Sequence, residues 1–121
     1  LMPDLIWEKR VLLVFTPDGQ NTDFQHQQAI LQAIEGGLSD RDMIVIQAFV
    51  DDHVVVDEQS HAQSAASFYQ RYTVSSDEFR IILVGKDGTI KLDRDSAVSG
   101  ADLFALIDSM PMRRVEMMQD E

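Results

Sequence analysis

Apolar residues fall in three near-continuous runs of strand length and one alternating run, and residues at helical spacing fill the intervals. The most legible unit is Phe79-Arg80-Ile81-Ile82-Leu83-Val84-Gly85-Lys86-Asp87-Gly88-Thr89-Ile90-Lys91-Leu92. From Ile81 to Val84 every residue is apolar, so both faces of the pleat require cover, as in a central strand. Asp87-Gly88 marks a tight turn, because glycine takes the positive φ that such a turn demands. On the return, Ile90 and Leu92 alternate with Thr89 and Lys91, which predicts one dry face. Lys86 and Lys91 place charge along that edge and discourage pairing with another chain.

Upstream, Val11-Leu12-Leu13-Val14-Phe15 and Met43-Ile44-Val45-Ile46-Gln47-Ala48-Phe49-Val50 predict two further strands. Thr16-Pro17-Asp18-Gly19-Gln20-Asn21 is turn chemistry throughout. Thr22 with Gln25 fits a capping box, and Phe24, Gln27, Leu31, Ile34 and Leu38, widened by Ile30, give the helix it opens an inward stripe. Gln27 is the polar interruption, and Gly36-Gly37 is expected to weaken or end the helix near its last turn. Strand, helix and strand then form a parallel unit with a right-handed crossover. Asp51 to Glu58, with Val54-Val55-Val56 inside it, reads as an extended loop or a short extra strand. A second helix is expected from about Glu58 to Tyr72, with Ala62, Ala65, Ala66, Phe68, Tyr69 and Tyr72 on its packed side.

Ser99 with Asp102 opens a last helix, whose stripe is Leu103, Phe104, Leu106, Ile107 and Met110 and which Pro111 stops. Arg113 and Arg114 fall just past its C-terminus, where positive charge is favourable by roughly some tenths of a kcal/mol. Gln119-Asp120-Glu121 is expected to fray. Trp7 has two readings, a cover for one end of the core or a stacking platform for a ligand. The order strand, helix, strand, helix, strand, strand, helix predicts an α/β sandwich around a four-stranded mixed sheet, with residues 1–121 forming a single domain.

Composition narrows the partners. The chain has 121 residues and a formal net charge of -11, which disfavours a nucleic-acid backbone or an anionic membrane surface. No apolar run reaches the length of a membrane span, so no membrane insertion is expected. There is no cysteine, hence no disulfide, thiolate nucleophile or thiolate metal site. The opening Leu1-Met2-Pro3 does not read as a natural start, so removal of an upstream leader is an expectation.

Tyr72-Thr73-Val74 followed by Phe79 to Leu92 is similar to the closing half of thioredoxins and peroxiredoxins. Arg10 to Phe15, Asp40-Arg41-Asp42, Gly85-Lys86-Asp87-Gly88, and Ile107-Asp108-Ser109-Met110-Pro111-Met112-Arg113-Arg114 with Glu116-Met117 resemble a small bacterial family of unknown function. That family is related to a thioredoxin-like module of secreted, sushi-repeat-containing animal proteins. The resemblance spans nearly the whole chain and implies a thioredoxin-like three-layer sandwich, with the hairpin strand antiparallel to its central neighbour. It marks Gly85, Lys86, Asp87, Gly88, Met110, Pro111, Met112, Arg113 and Arg114 as a structural signature, and it implies a periplasmic or secreted setting.

Thioredoxin-like enzymes hold a nucleophilic cysteine just after the first strand, near a helix N-terminus that lowers its pKa. Here the matching stretch, Thr16 to Thr22, holds no thiol, and Val74-Ser75-Ser76-Asp77-Glu78 stands where thioredoxins place a cis-proline. Thiol–disulfide exchange is therefore chemically excluded. The remaining candidate ligand-binding residues are Thr16, Asp18, Thr22, Asp51, Asp52 and His53. Thr22 reads as a cap, or as a nucleophile if a base lies beside it. Asp51, Asp52, His53, Asp57 and Glu58 follow the C-terminal end of a parallel strand, a frequent position for α/β sites. They read as a solvated acidic loop or as ligands for a hard or borderline cation, although the spacing matches no metal loop.

His26, His53 and His61 are dispersed, with surface positions as the default and convergence on a metal or a proton-transfer role as the alternative. Met110, Met112, Met117 and Met118 suit packing of the terminal segment, an adaptable protein-binding surface or Cu(I). No cofactor, catalytic residue or metal set is assigned. The function expected is a redox-inactive binding module for an unknown protein or small-molecule partner. The alternative is a metal-dependent or other non-thiol enzyme built on the acidic loop.

Overall fold

A computed structural model describes residues 1–119. Its elements are α1 (Met2–Leu5), β1 (Arg10–Thr16), α2 (Thr22–Ala33), α3 (Glu35–Asp40), β2 (Met43–Phe49), β3 (Val54–Val56), β4 (Gln59–His61), α4 (Ala65–Tyr72), β5 (Arg80–Val84), β6 (Ile90–Arg94), α5 (Gly100–Asp108) and α6 (Pro111–Gln119). The strands form a six-stranded sheet in the order β4-β3-β2-β1-β5-β6. β1 and β2 are parallel, and the other neighbours are antiparallel.

Both faces of the middle strands are covered, as their unbroken apolar runs require. Leu12, Val14, Ile81 and Leu83 pack with Phe24, Leu31, Leu38, Leu103 and Ile107 from α2, α3 and α5. On the other face Val11, Leu13, Phe15, Ile82 and Val84 pack with Met2, Ala65 and Phe68 from α1 and α4. β5 lies inside the sheet between β1 and β6, antiparallel to β1.

The sheet is wider than the four strands expected because the segment after β2 folds into the hairpin β3–β4. Its turn, Asp57-Glu58, has positive φ at both residues (46° and 70°), the backbone of a two-residue hairpin turn, but neither residue is the glycine that announces one. The second helix is consequently shorter than expected. It starts after Ser64, whose Oγ accepts from Ala66 N–H at 3.2 Å, and the residues from Gln59 belong to β4.

Gly36-Gly37 does not end the helical segment either, since α3 runs through both. A Cβ on Gly37 would lie 2.4 Å from the Phe104 ring, so glycine there permits close approach of α3 and α5. α5 ends at Asp108, close to the stop expected before Pro111, and Pro111 then opens a further helix, α6, at its first position. Ile90 is 51% exposed. A register shift at Leu83/Val84 pairs Ile90 with Val84 and Leu92 with Leu83, which breaks the expected shared face. Of the terminal residues expected to fray, Gln119 closes α6, while Asp120 and Glu121 lie outside the described residues. Among the described residues no helix is long and apolar enough to cross a membrane.

Candidate functional site

The turn between β1 and α2 occupies the position where thioredoxin-like enzymes carry their thiol. Thr16 is buried, and its Oγ1 donates to the Asp18 carbonyl at 2.7 Å. The Asp18 carboxylate accepts from Gln20 N–H at 2.8 Å, and Gln25 Nε2 donates to Gly19 O at 3.2 Å. Asn21, not Thr22, caps α2: its extended backbone lets Oδ1 accept from Phe24 N–H at 3.0 Å. Thr22 is the exposed first residue of the helix. The Tyr69 hydroxyl is shared between Thr16 O (3.1 Å) and Ala48 O (3.0 Å), fastening α4 to the ends of β1 and β2. Burial pushes that phenol up to about 12, so it remains a hydrogen-bond donor at neutral pH.

The acidic loop is similarly organised from within. Asp51 Oδ1 accepts from His53 N–H at 3.2 Å and contacts the same residue's ring Nδ1, while the ring stacks on Phe49 with centroids 4.0 Å apart. The His53 amide, followed by its ring, holds the Asp51 carboxyl below the ordinary aspartate range. Asp52 Oδ1 accepts from Ser64 Oγ at 2.6 Å and from Ala66 N–H at 3.0 Å, so it caps α4 and its carboxyl is also lowered. Asp57 Oδ1 accepts from Val45 N–H at 2.9 Å and secures the turn of the β3–β4 hairpin against β2. Among the described residues no group of three or more His, Cys, Asp or Glu is placed to hold a metal ion.

His26 is exposed on α2, and His61 Nδ1 accepts from Gln63 N–H at 3.1 Å, so the histidines serve separate local roles. Trp7 is 63% exposed and does not cover the core; its backbone N–H donates to Lys86 O at 2.6 Å.

The residues quoted for the family resemblance meet at the opposite end of the sheet. Arg10, only 1% exposed, donates from both terminal nitrogens to Glu116, each at 3.1 Å, and from Nη1 to Arg41 O at 2.9 Å. Lys86 Nζ joins Asp42 (2.8 Å) and Glu116 (2.7 Å), so it is a buried tie and not the exposed edge charge expected. Arg41 forks onto Asp108 at 3.0 and 2.9 Å and lies over the Phe104 ring. Arg113, buried on α6, reaches Asp108 and Asp40. It therefore lies on a further helix, not just past the last one, and pairs within an ion network.

Burial opposes ionisation of Glu116, but hydrogen bonds from Arg10 and Lys86 outweigh it and leave the carboxyl lowered. Arg114 is exposed, as are Met112 and Met118, whereas Met110 packs against the core.

A groove of about 480 Å³ lies elsewhere, between α2, α3 and the outer part of β2. Leu31, Leu38, Met43, Ile44 and Val45 are its apolar part, and Gln28, Gln32, Gln47 and Glu35 are among its polar walls. None of these was a sequence candidate. The available signals were Gln47 interrupting an apolar strand and the Gln28–Gln32 pair one helical turn apart.

Solved structures share this architecture. The reduced 2-Cys peroxiredoxin of Plasmodium vivax superposes with a TM-score of 0.67 at 13% identity, covering 98% of this chain and 84% of that one. Thioredoxin peroxidase I of Plasmodium yoelii gives 0.68 at 16% identity, over 93% and 79%. A thioredoxin-fold protein of Helicobacter pylori gives 0.56 at 17% identity, over 90% and 73%. At these identities the likeness establishes a thioredoxin-like fold. No curated protein matches in sequence. Among sequence families, the chain belongs to DUF4174, a domain of unknown function, which it matches over residues 1–116.

Proposed function

We infer that residues 1–121 act as a redox-inactive, thioredoxin-like binding module. The observation that carries this reading is the closed turn from Thr16 to Thr22. It has no thiol, the Thr16 hydroxyl donates to a backbone carbonyl, and the carboxylate of Asp18 accepts a turn amide. A nucleophile needs an adjacent base, and the Thr16 hydroxyl is directed at a carbonyl that cannot take its proton. Asp51, Asp52 and Asp57 are occupied by His53, the α4 N-terminus and β2, which disfavours a metal-dependent enzyme built on that loop. The groove beside β2 offers concave surface with polar walls.

We propose an exported setting on the resemblance of the family to the module of secreted sushi-repeat proteins, checked by a leader sequence in the full reading frame. The functional test pairs turnover with binding. Assays with hydrogen peroxide plus a dithiol, and with disulfide-bonded insulin, should give the rate of the protein-free control. A partner isolated on the immobilised protein should bind saturably and be recovered chemically unchanged. Conversion of a substrate overturns the reading. So does calorimetric binding of calcium, zinc or copper that Asp51→Ala and Asp52→Ala abolish.

A further inference from the structure

The polar walls of the groove differ from polar groups elsewhere in the chain. Gln28, Gln32, Glu35, Gln47 and Glu58 line it, and their side chains make no hydrogen bond or ion pair with other described residues. By contrast Gln27, on the same helix, is buried and exchanges two hydrogen bonds with Val98, at 3.0 and 2.7 Å. The free carboxamides each present a donor and an acceptor.

The groove also reaches around the outer margin of β2. Met43 and Val45 pack on the α2 face of the sheet and Ile44 on the α4 face, yet all three line it. One cavity touches both faces of a strand only where the margin between them is open. β3 pairs with β2 from Ile46 to Ala48 alone. Asp57 then closes Val45, accepting its N–H on Oδ1 and donating its own N–H to Val45 O, each at 2.9 Å. β2 starts earlier, at Met43. Alternation along the strand points the Met43 N–H and C=O the same way as those of Val45, outward into the groove. An open margin of this kind is a template for an added strand.

Charge selects among peptides. Lys9 is the one cation lining the groove among the described residues, against Glu35, Glu58 and the already bonded Asp57, and the whole chain carries -11. We propose that the groove takes an extended peptide segment that pairs with β2 at Met43. One side chain of the segment rests on Leu31, Leu38 and Val45, and a lysine or arginine faces Glu35 and Glu58. This inference rests on the binding-module reading and names the class of its ligand.

The test is a titration of ¹⁵N-labelled protein with a capped hexapeptide of alternating lysine and valine. Saturable shifts are expected at the Met43 and Val45 amides and at the carboxamides of Gln28, Gln32 and Gln47. Affinity should fall about tenfold, equivalent to about 1.4 kcal/mol, in the Glu35→Gln/Glu58→Gln double variant. It should fall at least as far when alternate peptide amides are N-methylated, and a glutamate–valine hexapeptide should give no shifts at these positions. Spermidine binding as tightly as the peptide overturns the proposal by making the groove a small-cation site. Absence of shifts at these residues with the lysine peptide overturns it too. Peptide shifts confined to another surface sink the groove and leave the binding module standing, whereas substrate conversion in the turnover assays sinks the module whatever the groove does.

Discussion

Where β1 begins, Arg10, Arg41, Lys86 and Arg113 meet Asp40, Asp42, Asp108 and Glu116; where β1 ends, Asp18, Asp51 and Asp52 face turn amides, one hydroxyl and one imidazole. The sequence separations differ as much as the partners. At the first end all but the Arg113–Asp108 and Arg113–Glu116 contacts are remote, with bonds linking residues 30, 44, 67, 73 and 106 positions apart. At the second they link residues 2, 12 and 14 apart. Carboxylates at one end hold remote segments in register, and those at the other shape a turn or cap a helix. A buried ion pair contributes more to the choice of one arrangement than to net stability, because desolvation offsets much of its attraction. Turn and cap carboxylates desolvate little and act locally.

Substitutions can break this contrast. Glu116→Ala leaves Arg10 buried without its carboxylate and removes one partner of Lys86, so it should cost about 3 kcal/mol in urea unfolding. A loss below about 1 kcal/mol, the scale of a surface pair, would mean that the network is no tighter than an exposed one.

Acid sharpens the same point. Glu116 and Asp108 both have lowered folded-state carboxyls, Asp108 chiefly through its hydrogen bonds from Arg41. Their contribution is complete above the unfolded carboxylate values near 4 and disappears as pH falls through the lowered folded values. The melting temperature should therefore drop below about pH 4, and Glu116→Gln should flatten that limb.

At the other end, Asp52→Ala removes one of two acceptors from the Ala66 N–H that opens α4 and should lower the melting temperature, though by less than Glu116→Ala. Ser64→Ala should cost less, because Asp52 still accepts from Ala66 N–H. Asp51→Asn is expected to leave the melting temperature close to the parent's, since the group is exposed and bonded within its own loop. A large loss there would show that the acidic end also holds the fold together.

Local chemistry explains what could be read from the chain. Val11 to Phe15 and Ile81 to Val84 are apolar at every position because β1 and β5 are covered on both faces. Ser99 and Asp102 show the last cap directly, with Asp102 N–H donating to Ser99 Oγ at 3.1 Å. Thr22 drew attention for its spacing to Gln25, but one residue earlier Asn21 has the extended backbone that a cap requires. The β3–β4 hairpin left no glycine to mark it. Part of the ion network is local, since Arg113 reaches Asp108 five residues away, but Lys86 looks like a surface charge until Asp42 and Glu116 arrive from far away in the chain. The groove escaped for the same reason, since α2, α3 and the β3–β4 turn each supply one wall.

The bond from Arg10 to Glu116 sets an order on synthesis. A nascent chain that has emerged only through β6 holds the guanidinium of its first strand with nothing to neutralise it, and the sheet cannot close around that charge at low cost. Emergence of α6 is thus the event that commits this domain to its final form, and products cut before residue 116 should be captured by chaperones or degraded.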